Sequence, residues 1–72
     1  MTQTDTFSVR INGEQRSVSV GSTIAALVAE IGLDPTRVAV ERNLEIVPRS
    51  TLATAVVADG DAFEIVHFVG GG

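Results

Sequence analysis

Three consecutive glycines, Gly70-Gly71-Gly72, close the sequence, and they have the clearest chemical use of any residues in it. They have no side chains, so they add no packing and cost more backbone entropy to order than any other residue type. Extended, three residues reach about 10 Å. Such a thread can pass a channel too narrow for a Cβ and set the Gly72 carboxylate deep in a partner's site. The alternative is a frayed terminus without a role. His67, the sole histidine, is the other candidate. One imidazole with no Cys or Ser near it in sequence is neither a metal site nor a nucleophile–base pair, so packing or partner contact is its expected role. With no Cys, neither a disulfide nor a Cys/His zinc site is available. No phosphate loop or metal-ligand cluster is present either. These residue types point away from an enzyme and toward a chain that partners act on, binding no metal or cofactor itself.

The elements that must position this terminus fit in one domain, since the chain has 72 residues. Its core must come from apolar packing alone, and 44% of the residues are apolar. Five Arg, no Lys and nine acidic residues give a net charge of −4. That balance argues against nucleic-acid binding, which needs a basic face, and suits a basic partner surface or plain solubility. The polar start, Met1 to Thr6, has no export-signal pattern, and no run approaches the ~20 apolar residues of a membrane span. The lack of Cys fits a reducing compartment. A cytoplasmic protein is expected, with a leader over residues 1–6, a folded domain over 7–69 and a tail over 70–72.

Phe7, Val9 and Ile11 alternate with Ser8 and Arg10, the period of a half-buried strand. Asn12-Gly13 then supplies the positive φ angles of a type I′ turn. A return strand runs from Gln15 to Val20, with Val18 and Val20 sharing a face. Ser22 is the expected N-cap of a helix whose apolar stripe is Ile24, Leu27, Val28 and Ile31. Gly32 suits the left-handed position after it, with Pro35 beyond. Arg37 to Glu41 reads as a third strand, Asn43 as a turn, and Ile46-Val47 as a short edge piece stopped by Pro48. Arg49 to Ala55 reads as a single helical or 3₁₀ turn. Asp59-Gly60-Asp61 is a tight turn into a last strand, Phe63 to Val69. The order predicts an α+β domain, a mixed sheet of four to five strands on one main helix, which is the ubiquitin-like β-grasp arrangement.

Both faces of the last strand carry bulky apolar groups. Phe63, Ile65, His67 and Val69 alternate with Glu64, Val66 and Phe68. One helix buries only one face, and Phe63 with Ile65 is the set expected against it. Val66 and Phe68, with Val69 at the end, are then the expected partner-binding surface beside the tail. The alternative is ordinary surface apolarity.

The run Glu64-Ile65-Val66-His67-Phe68-Val69-Gly70-Gly71-Gly72 resembles the C-terminus of the thiamine-biosynthesis sulfur carrier proteins. Ala39-Val40-Glu41-Arg42-Asn43, followed by Ile46-Val47-Pro48-Arg49, resembles their central strand and turn, and Asp59-Gly60-Asp61 their turn into the last strand. The resemblance spans Phe7 to Gly72 and implies a chemistry. An E1-like adenylyltransferase, using ATP and Mg²⁺, attaches AMP to the Gly72 carboxylate. A persulfide on a donor protein displaces AMP, and the resulting C-terminal thiocarboxylate gives its sulfur to thiazole synthase. The glycine tail alone is shared with other carriers of this fold, including the small subunit of molybdopterin synthase. That family usually has prolines before its diglycine, where this chain has His67-Phe68-Val69-Gly70. A carrier for cysteine synthesis or tRNA thiolation, a protein modifier and a ubiquitin-like binding module are the remaining alternatives.

Overall fold

The chain opens with a hairpin whose turn is set by two residues at positive φ. In the computed structural model, which describes residues 5–69, β1 spans Thr6–Ile11 and β2 spans Glu14–Ser19. Asn12 at φ 50 and Gly13 at φ 86 make the turn between them, the type I′ combination that matches strand twist. The ladder is antiparallel from Thr6↔Ser19 to Ile11↔Glu14. β1 thus begins one residue before the alternation suggested, at Thr6. β2 ends one residue sooner, because Gly21 at φ 93 turns the chain away. Val18 is buried as expected, but Val20 lies outside the strand and is about half exposed (48%).

The helix α1, Ile24–Glu30, is capped by Thr23, not by Ser22. The Ala26 amide donates to Thr23 Oγ1 at 3.1 Å. Ser22 sits one residue too early: its amide donates to the Ser19 carbonyl and its carbonyl accepts from the Val57 amide. The two remaining amides of the first turn are also satisfied. Ile24 donates to Ala55 O and Ala25 to Leu52 O, so the segment after the third and fourth strands is tied to the helix start. At the other end Gly32, at φ 92, allows the Leu33 amide to reach Val28 O and its own amide to reach Ala29 O. This is a Schellman closure. The stripe of Ile24, Leu27 and Val28 is buried, and Ile31 and Leu33 pack partly buried against the same core.

A 3₁₀ turn at Pro35–Arg37 leads into β3, Val38–Arg42. β4 is the short strand Glu45–Val47, followed by a 3₁₀ turn at Arg49–Thr51. β5 spans Ala62–His67. The five strands form one sheet in the order β2-β1-β5-β3-β4. β5 runs parallel to β1 and antiparallel to β3. The last strand therefore lies in the middle, and the helix covers one face. Val9, Ile11, Val18, Val40, Phe63 and Ile65 point to that face and form the core with the helix. This is the expected β-grasp class. β5 stops at His67, not at Val69, yet Phe68 is still held: its amide donates to Arg37 O at 2.8 Å.

The cap correction has a direct check. Thr23→Ala should lower stability by about 1 kcal/mol, or about 4–8 °C in Tm, whereas Ser22→Ala should leave thermal unfolding nearly unchanged.

Candidate functional site

The sheet face turned away from the helix carries an apolar patch that nothing in the described residues covers. Cross-strand register places Ala39 beside Val66, Glu41 beside Glu64, and Glu41 beside Ile46. Side chains of directly paired residues share a face, so these five stand together on the open side. Val66 is 58% exposed and Ile46 81%. Beyond the strand end Phe68 is 51% exposed and Val69 86%. A shallow depression of about 170 Å³ lies among Ala39, Glu41, Ile46, Glu64 and Val66. A second, of about 280 Å³, adjoins it and is lined by Ile46, Val47, Pro48, Arg49 and Phe68 among others. The expected partner-binding residues Val66, Phe68 and Val69 are thus all solvent-exposed. Gly70, Gly71 and Gly72 lie outside the described residues.

Ile46 belongs to this patch and was not singled out by sequence. Glu45–Val47 is too short for alternation to assign a face, and only pairing with β3 decides it. Leu44 is likewise exposed and sits at φ 71 in the β3–β4 turn, where Asn43 has φ 52. Two residues at positive φ again make a type I′ turn, here with a leucine where glycine is usual.

Two polar clamps hold β5 in place beneath the patch. The Asn12 side chain acts as a surrogate strand residue. Its Oδ1 accepts from the Ile65 amide at 2.8 Å and its Nδ2 donates to Ile65 O at 3.1 Å. At the start of β5, Asp61 is the one buried polar side chain among the described residues. Its carboxylate accepts from Arg42 Nη2 at 2.7 Å, from the Ala58 amide at 2.8 Å and from Asn43 Nδ2 at 3.1 Å. Arg42 also donates to Val56 O at 2.9 Å. Burial by itself would push the Asp61 carboxyl up. The Ala58 amide, Arg42 and Asn43 outweigh it and hold the group below the ordinary carboxylate range.

His67 ends β5 half-buried on the helix side, and its Nε2 is shielded from water without a hydrogen-bond partner among the described residues. Among the described residues no three His, Cys, Asp or Glu side chains are grouped to hold a metal ion. No helix there is long and apolar enough to cross a membrane. What the geometry offers is a surface and an outgoing strand end.

A five-stranded β-grasp sheet with one helix and an open apolar face beside its last strand places the molecule among ubiquitin-like domains. The ThiS family sequence model matches residues 9–72. The chain belongs to the ThiS family, as the resemblance implied. It is 46% identical over 50 residues to "Sulfur carrier protein ThiS" of Bacillus subtilis (strain 168), covering 69% of this chain and 76% of that one. It is 58% identical over 62 residues to "Thiazole synthase" of Paramagnetospirillum magneticum, covering 86% of this chain and 19% of that one. The chain spans about a fifth of the length of that relative and of a second thiazole synthase, from Magnetococcus marinus. The crystal structure of the thiamine biosynthesis protein ThiS from Geobacter metallireducens superposes with a TM-score of 0.74 at 29% identity, covering 92% of this chain and all of that one (100%).

The two faces of the last strand separate by mutation. Phe63→Ala should cost about 3–5 kcal/mol, while Phe68→Ala should cost less than about 1 kcal/mol; denaturant unfolding reads both. The Asp61 clamp predicts a pH dependence. A carboxyl held low in the folded state stabilises fully above its unfolded pKa and loses that contribution as pH falls through the folded value. The Asp34 carboxyl is also held low, by the hydroxyl and amide of Thr36, so wild type alone does not isolate Asp61. The stability gap between wild type and Asp61→Asn should therefore be widest near neutral pH and narrow steadily below about pH 4.

Proposed function

We propose that this chain is a sulfur carrier of thiamine biosynthesis whose reacting group is the α-carboxylate of Gly72. The observation that carries the reading is that the ThiS family match runs on past β5 through the three glycines to Gly72. A carboxylate is a poor acyl donor, because its leaving group would be oxide. An E1-like adenylyltransferase using ATP and Mg²⁺ replaces that leaving group with AMP and releases pyrophosphate. A persulfide on a donor protein attacks the acyl carbon and expels AMP, giving an acyl disulfide. A thiol cleaves its S–S bond and frees the thiocarboxylate. The protein contributes position: the tail carries the acyl group, and the partners supply nucleotide, metal and persulfide.

Thiazole synthase is the proposed recipient of the sulfur. In two relatives a region matching this chain makes up about a fifth of a protein named thiazole synthase, which supports the pairing. The family match likewise favours thiamine synthesis over the molybdopterin branch. Val66, Phe68 and Val69, joined by Ile46, are the proposed docking surface. Val66, Phe68 and Val69 come just before Gly70 in sequence, so a partner that receives the tail is placed to meet them. The absence of Lys suits an activated terminus, since no side-chain amine on the chain itself can capture it.

Intact mass of the protein purified from cells should show a population about 16 Da heavier, the exchange of O for S at an acyl terminus. Removing Gly72 should leave the melting curve unchanged and abolish ATP–pyrophosphate exchange with the adenylyltransferase. A truncated chain that still acquires sulfur would falsify the mechanism.

A further inference from the structure

Two glutamates stand directly opposite each other at the end of the docking patch away from Phe68 and Val69. Glu41 on β3 and Glu64 on β5 are register partners in an antiparallel pair. Such partners have Cβ atoms about 4.5–5.5 Å apart, and like charges in that position are destabilising. No ion pair reaches either of them among the described residues. The two salt bridges found there join Arg37 to Asp34 and Arg42 to Asp61. Arg10, on the same face, pairs by register with Ala62 and forms no salt bridge with Glu64 among the described residues. The fold therefore keeps an uncompensated pair of carboxylates beside Ile46, the register partner of Glu41, and next to Val66, two residues on from Glu64 along β5.

We infer that Glu41 and Glu64 set the specificity of the docking face: together they accept one arginine or lysine side chain that projects from an otherwise apolar partner surface. The inference rests on the sulfur-carrier reading and names the chemistry of the partner's face. Burying Val66 and Ile46 under a purely apolar surface would strip water from both carboxylates and leave them unpaired, which is strongly unfavourable. A partner that brings a cation removes the repulsion and uses the apolar contact at once. The depression between the two glutamates, about 170 Å³, is comparable to a cavity of about 150 Å³ that admits a benzene ring, so one cationic side chain fits. A guanidinium suits the place best, since its planar fork can hydrogen-bond two carboxylates. A second copy of this chain is a poor occupant, because it would bring two more carboxylates to the same spot. The order of the chain also selects the occupant: the glycines follow Val69 directly in sequence, so a partner that takes them meets the Phe68 end of the patch and extends along β5 to reach the two glutamates.

The test is calorimetric binding of the full chain to thiazole synthase from the same organism, at low and at high salt, with melting curves of each free variant. Glu41→Gln/Glu64→Gln should melt about 2–5 °C higher than wild type, bind about tenfold or more weakly at low salt, and lose most of its salt dependence. Val66→Ala should bind more weakly while keeping the wild-type salt dependence. A double variant that binds as tightly as wild type, or more tightly, with the same salt dependence overturns the role of the pair and leaves the docking face standing. Absence of binding by wild type overturns the choice of thiazole synthase, and this inference with it.

Discussion

The structure depends on the last strand being hydrogen-bonded on both sides. β5 lies between β1 and β3, parallel to one and antiparallel to the other. A strand in that position cannot fray alone, because leaving would break two ladders and expose Phe63 and Ile65 together. Phe63 is only 1% exposed and is the largest fully buried side chain among the described residues. The segment that leads to the glycines is thus built into the most constrained part of the sheet. Even Phe68, one residue past the strand, keeps a backbone bond to Arg37.

From that placement follows the division of the molecule into two faces. One seven-residue helix shields one side, and the other side of β5, β3 and β4 has no cover among the described residues. The period of two along a strand then sorts residues by parity. Phe63 and Ile65 go to the core, while Glu64 and Val66 go outward. A small chain cannot bury both sets. The outward set shares β5 with the core set and comes shortly before the glycines in sequence.

Polar side chains complete what a small core leaves open. Asn12 extends the pairing of β1 with β5 where the backbone turns away. Asp61, Arg42 and Asn43 fasten the start of β5 to the turn after β3. Buried charge pairs of this kind contribute little net stability against an apolar substitute, but removing one partner is costly because the other is left unpaired. Their value here is positional, as they set where β5 begins and so which residues reach its far end.

Much of this was legible in sequence where a local rule acts on consecutive residues. Asn12-Gly13 dictates a type I′ turn, the Ile24-Leu27-Val28 stripe dictates an amphipathic helix, and the parity of Phe63 and Ile65 dictates their burial. The three glycines and the lone histidine are also properties of sequence alone. Local rules failed where two neighbours offered the same chemistry. Ser22 and Thr23 are equal candidates for the cap, and the bonds of Ser22 to Ser19 and Val57 decided between them. The face of Ile46, the Arg42–Asp61 clamp and the meeting of Glu41 with Glu64 were beyond sequence. Each joins residues on different strands, and strand register is a property of the assembled sheet, not of any one segment.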